Sequence, residues 1–330
     1  MHKIDVFIEK TLRVVENHKI EPGKYARWLW QNETGTRELG VSKYGCADAV
    51  NILYSLGKFP VGQEREASIY VLKGLQDKES GFFIEKTHHP LHTTAHCIGA
   101  LELFDEMPFF KLTELEQYQD PEKIKEFLGG LLWRTDPWDA AHQGAGIYAA
   151  MNMMGMVSEE WKDAYFGWLW NEVDEETGLW RRGCVEAEKV FHSLAGTFHY
   201  LFNHEDAAMP LRYPNKLIDT CLAIWEDYKV NNPVFGNNIG FAEVDWVYCV
   251  TRACRQTTYR YDECKEALKE FADKYIPFLN AIDENTSDMF NDLHALLGTV
   301  CAVAELRQAL PGYIKSSYKV KLVLDRRPFI

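Results

Sequence analysis

The chain has 330 residues, of which 46% are hydrophobic, 13% aromatic and 26% charged, ample apolar material for a large core. A formal net charge of −13 weighs against nucleic acid or an anionic membrane as partner, because both demand clustered basic groups, and the basic runs here stop at the pairs Arg181-Arg182 and Arg326-Arg327. The eight cysteines include no C-x-x-C pair, Met1-His2-Lys3-Ile4-Asp5 lacks the apolar region of a secretory signal, and no run of about 18 apolar residues offers a membrane span, so a cytoplasmic protein with reduced thiols is expected.

In chain order, an extra N-terminal helix near 3–17, within a segment 1–20, comes first. Six helix pairs follow. Their outer members are predicted at 22–32, 63–76, 121–133, 158–171, 213–229 and 261–280, where charged residues recur opposite an apolar stripe. Inner members begin near Tyr44, His92, His142, His192, Asp245 and Asp292, a recurrence of about fifty residues. These second helices are rich in small residues, as in Gln143-Gly144-Ala145-Gly146, which lets helix axes approach closely. Within each pair a turn joins Gly or Asp to an aromatic: Gly81-Phe82-Phe83, Asp136-Pro137-Trp138, Gly178-Leu179-Trp180, Gly240-Phe241 and Asp288-Met289-Phe290, with Arg37-Glu38-Leu39-Gly40 a degenerate first copy. Residues 312–330 are expected to form an extended tail. No Pro/Gly/Ser-rich linker divides the chain, so 1–330 is read as one domain. The expected fold is all-α, an (α/α)6 toroid of six helix-pair repeats with its working site in the central hole.

The segment Leu75-Gln76-Asp77-Lys78-Glu79-Ser80-Gly81-Phe82-Phe83, followed nine residues on by an inner helix, resembles the repeat of terpenoid cyclases and protein prenyltransferases. The stretch from Trp168 to Trp180 looks like a looser copy. The resemblance covers about residues 22 to 309 and implies the α/α toroid; six-hairpin barrels of glycoside hydrolases and sugar epimerases are the second toroid it resembles. Chemistry is not carried over with it, since one fold hosts many activities. The D-x-D-D motif of class II terpene cyclases is absent. Asp245, Cys249 and His294 are similar to the zinc set of the prenyltransferases, but the Asp–Cys spacing is four where that family has two.

In a toroid the starts of the inner helices converge on one mouth of the hole, and here those starts are polar. His92 and His96 fall one turn apart on a single helix face, with His88 and His89 in the preceding turn. Such a cluster suits acid–base work, hydroxyl binding or metal ligation; no H-E-x-x-H accompanies it, and the reading assigns neither metal nor cofactor. Asp139 precedes His142 by one turn, and Glu243 and Asp245 occupy the matching place in the fifth repeat. Asp139 with Glu243, or Asp245 in its stead, is the candidate carboxylate pair of a glycosidase, whose two carboxyls stand roughly 5–9.5 Å apart. The alternative is structural, with Asp139 capping its helix and Glu243 pairing with a cation such as Arg182. Trp138, Trp180, Trp246 and Tyr248 are candidate stacking faces for a sugar ring. His88, His92, His96, His142, Gln143, Arg182, His192, Asp292 and His294 are candidate substrate contacts, Asp292 having an equal claim as a helix cap.

These residues point to a carbohydrate-active enzyme, a glycoside hydrolase or a sugar epimerase/isomerase. In the second version two histidines move the proton and carboxylates orient them. An isoprenoid-processing enzyme with zinc on Asp245, Cys249 and His294, and a non-catalytic binding toroid, are the alternatives. The expected partner is a small molecule.

Overall fold

A computed structural model describes residues 1–180, 182 and 190–330. Among these residues the fold is almost entirely helical. Six helices carry most of the buried small residues: α2 (Lys43–Ser55), α4 (Pro90–Glu102), α6 (Pro137–Met153), α8 (Val190–Asp206), α10 (Ala242–Gln256) and α12 (Leu293–Ala309). The others alternate with them: α1 (Asp5–His18), α3 (Gly62–Gly74), α5 (Pro121–Gly130), α7 (Glu159–Glu172), α9 (Pro214–Asn231) and α11 (Tyr261–Ala281). No helix among the described residues is long and apolar enough to cross a membrane.

The starts of these helices are written locally. Ser42, Asp120, Asp136, Ser158 and Asp292 each accept a backbone N–H of the first turn. Pro90, Pro121, Pro137 and Pro214 stand in the first turn, where the missing N–H costs nothing. Packing then arranges them. α2 lies against α4, α4 against α6, α6 against α8, α8 against α10, α10 against α12, and α12 returns to α2, a closed cycle of neighbours. The alternate helices pack outside, α3 on both α2 and α4, α9 on α10 and α11. The buried apolar side chains form one continuous cluster.

The turn between outer and inner helix recurs in atomic detail. The Asp77 amide donates to the Phe82 carbonyl, Asp77 Oδ1 gathers the Glu79 and Ser80 amides, and the Phe83 amide reaches Thr94 Oγ1 on α4. A hundred residues on, as roughly two repeats require, Asp174 does the same with Leu179, Glu176 and Thr177, and the Trp180 amide reaches Thr197 Oγ1 on α8. Gln76 sews the first copy down, its side chain bonding the Gly81 carbonyl and both backbone groups of Phe110.

One expectation is corrected. Residues 22–32 are not a helix: β2 (Lys19–Glu21) turns through Gly23 at φ 72° into β3 (Lys24–Tyr25), and past an isolated bridge at Ala26 the chain bends at Arg27, Leu29 and Trp30. Its backbone finds partners outside a helix, the Ala26 amide on the His18 carbonyl, the Arg27 carbonyl on the Leu293 amide, and the Leu29 amide on Asn291. The N-terminal helix α1 packs on α2, α11 and α12.

The last residues are held by specific anchors. β1 (His2–Lys3) runs parallel to β4 (Ile314–Lys315). Beyond a 3-10 turn at Val323–Asp325, Phe329 and Ile330 are fully buried, and the Phe329 ring lies 4.9 Å from that of His92 and 5.8 Å from that of His199.

Candidate active site in a histidine-lined cavity

The starts of the inner helices enclose a cavity of about 380 Å³. His88 and His92 line it from the start of α4, Trp138 and His142 from α6, His192 and His199 from α8, Asp245 from α10, and Asp292 and His294 from α12, with Arg27, Phe191 and Phe241 completing the wall. Because the Cα–Cβ bonds of a helix tilt toward its N-terminus, side chains of the first two turns are the ones that reach such a mouth.

Beneath the cavity lies a buried polar knot. Asp48 Oδ1 accepts from His96 Nε2 at 2.7 Å and from His294 Nδ1 at 3.1 Å. Burial by itself would raise the Asp48 carboxyl, but His294 and His96 outweigh it and hold the group well below the usual carboxylate range. Burial pushes His96 down to about 4 against the pull of Asp48, so His96 is a neutral N–H donor at neutral pH. Bonding through Nδ1 leaves His294 with Nε2 on the cavity side.

Three further histidines meet above it. His92, His142 and His199, from α4, α6 and α8, are buried and bring ring nitrogens within 4.8 Å of one another. Burial, then mutual repulsion with His142, His88 and His199, drives His92 well below its ordinary value; burial and His199 do the same to His142. His199 is pushed down to about 4, chiefly by burial, its bond to the Ala195 carbonyl opposing. All three imidazoles are therefore neutral at neutral pH.

Asp245 is buried, and its Oδ1 has no hydrogen-bond partner. Burial, reinforced by Glu243, raises its carboxyl well above the ordinary range and so favours the protonated form. Arg27 binds Asp292 through two bonds, 2.8 and 2.9 Å, while Asp292 also caps α12 by accepting the His294 amide.

The remaining candidates fall elsewhere. Asp139 accepts from Gln143 and lies in a shallow depression beside the cavity. Glu243 is buried, accepts the Gly236 amide near Lys274, and does not line the cavity. Trp180 and Trp246 are buried with their indole N–H groups on the carbonyls of Leu169 and Cys221. The Tyr248 ring packs 3.9 Å from the Arg252 guanidinium. Arg182 is exposed, 3.8 Å from Glu172, and Arg181 lies outside the described residues. Cys249 is buried with its thiol toward the Leu194 carbonyl, and Asp245, Cys249 and His294 do not converge as a metal-ligand group.

Sequence reasoning missed Arg27 and His199. Arg27 was hidden in the segment misread as helix. His199 carried a usable signal, standing seven residues after His192 and so on the same face of α8. No known protein family, curated protein or solved structure matches this chain.

Proposed function

We propose that the chain is an (α/α)6 toroid and a sugar isomerase or epimerase, moving a proton at a carbon beside a carbonyl in its central cavity. The closed cycle of inner helices and the recurring Asp turns support the toroid. One observation carries the chemistry: His294, held through Nδ1 by the buried Asp48, shares a cavity with Asp245, whose buried carboxyl keeps an unpartnered oxygen.

The roles follow from the environments. A carboxylate that fixes one ring nitrogen orients the other as a general base, here His294 Nε2. A carboxyl kept neutral by burial is a hydrogen-bond donor to a carbonyl oxygen that gains charge, here Asp245. A positioned imidazole and a carboxyl whose burial favours its protonated form, together in one cavity, are what enolisation needs. Trp138, Phe191 and Phe241 supply apolar faces for a ring, and Arg27 with Asp292 a polar corner for hydroxyls.

A cavity of about 380 Å³ stands at the small end of the range of roughly 300–1,000 Å³ for ligand pockets, which favours one monosaccharide over a long isoprenoid chain. The hydrolase version loses support because Asp139 and Glu243 face different surroundings. The seven free cysteines among the described residues support a reducing compartment such as the cytoplasm.

The test is solvent isotope exchange. Aldoses, ketoses, N-acyl amino sugars and uronic acids are incubated with the protein in D2O and followed by proton NMR. Loss of the signal beside the carbonyl of one sugar class, abolished in His294→Gln, is the expected result. No exchange with any sugar, together with hydrolysis of aryl glycosides, would overturn the proposal.

A further inference from the structure

We infer that His92, His142 and His199 form a binding site for one divalent transition-metal ion of the zinc class, open to the cavity. Three imidazoles from three successive inner helices, with ring nitrogens within 4.8 Å of one another, form a nitrogen-only donor set. That set selects ions that favour imidazole and disfavours magnesium and calcium, which take oxygen ligands.

The bonds behind the rings have the pattern that metal-ligating histidines require. His199 donates Nδ1–H to the Ala195 carbonyl at 2.8 Å. His92 Nδ1 lies 2.7 Å from the Tyr44 hydroxyl, which lies 3.3 Å from Thr93 Oγ1; in the tautomer a metal requires, His92 donates Nδ1–H to that hydroxyl and the hydroxyl donates on to Thr93. Each bond occupies Nδ1 and leaves an Nε2 lone pair to point elsewhere, the arrangement that fixes ring tautomer and orientation around a metal. His142 lines the cavity, and its ring nitrogens are not among the buried unpartnered atoms, so the imidazole opens onto the space where an ion would sit.

The neighbouring Asp48–His96–His294 group also brings three ligand atoms together, but both histidines already spend a nitrogen on the same carboxylate oxygen, leaving Asp48 Oδ2 and His96 Nδ1 as its unpartnered buried atoms. A metal there would have to break those bonds. In the trio of His92, His142 and His199 no member bonds a carboxylate, and its place in the cavity wall leaves the remaining coordination positions to water or to a substrate oxygen, as in catalytic rather than structural sites.

The test reads binding of the metal alone and is independent of turnover, so failure of the sugar proposal leaves it standing and the reverse. The full chain is stripped with chelator, dialysed against zinc or cobalt(II), and analysed for bound metal and for the visible spectrum of the cobalt form. The expected result is one equivalent per chain, no retention of magnesium, and a cobalt spectrum of a four-coordinate nitrogen-ligated ion. His142→Ala and His199→Ala, checked for native circular dichroism, lose that equivalent, and His294→Gln keeps it. Tyr44→Phe, which leaves every ligand in place, weakens binding by about 10- to 100-fold. Folded wild-type protein that retains no zinc or cobalt overturns the assignment. So does retention in His142→Ala with loss in His294→Gln, which would place the ion on Asp48.

Discussion

Asp48 on α2 accepts the Nδ1–H of His294 on α12 at 3.1 Å, although 246 residues separate them in sequence. The bond joins the first and last inner helices where their cycle closes, and it sets the direction of the ring that faces the cavity.

Asp48→Asn is therefore expected to lower isotope-exchange turnover by about 10²- to 10⁴-fold, the worth of a positioned general base, while the fold persists. The effect on stability has a defined sign. A carboxyl held below its ordinary value stabilises the fold above its unfolded value of 3.8 and loses that contribution as pH falls below it. Wild type is expected to exceed the variant in stability at pH 6, with the gap narrowing toward pH 3 in thermal melts.

Glu243 behaves oppositely. Burial raises its carboxyl to about 7, the Gly236 amide opposing. Its stabilising protonated form is fully present below the unfolded value of 4.5 and is lost as pH rises through about 7. Between pH 5 and 8 the stability difference is expected to move in favour of Glu243→Gln by about 2–3 kcal/mol, measured by urea unfolding at each pH. Turnover in this variant, and in Asp139→Asn, is expected to stay near that of wild type; a catalytic pair would lose it.

Arg252 on α10 is almost fully buried and bonds both Glu305 oxygens, at 2.9 and 2.7 Å, and Asp325 at 2.6 Å. Arg252→Ala leaves Glu305 charged and unpaired in the interior, with an expected cost of about 3–5 kcal/mol in chemical denaturation. The double variant Arg252→Met, Glu305→Leu removes both charges and is expected to recover most of that loss.

Gly81, at φ 78°, sits so close to the next segment that an added Cβ would fall 1.9 Å from the Lys111 carbonyl oxygen. Gly81→Ala is expected to cost about 3 kcal/mol or more, since both backbone conformation and packing must give. Gly35, at φ 67° with nothing near it, is the control: Gly35→Ala is expected to cost only about 1 kcal/mol.

The inner helices were legible because their small residues and their caps repeat at a fixed interval, and Ser42, Asp136 and Asp292 stand where each helix begins. The stretch from Tyr25 to Trp30 was not, because its apolar residues suit either helix or extended chain, and only His18, Asn291 and Leu293 decide the matter. Within the site, neighbouring side chains of a helix diverge by about 100°, so Asp245 reaches the cavity while Trp246 turns to the outer layer. The sequence places both at the same helix start and cannot say which points inward. His199 lies two turns deep in α8, below the helix start where polar residues were sought.

Phe329 and Ile330 fill the space under the histidines, and Asn203 binds the Pro328 carbonyl. In a stack of autonomous repeats each added unit needs only its neighbour, and order can spread from any starting point. Here the ring contact between Phe329 and His92, and the bond from Arg327 to the His96 carbonyl, bridge most of the sequence. The packing beneath the cavity thus depends on residues 323–330, brought in by contacts of very large sequence separation, the kind of closure associated with slower folding.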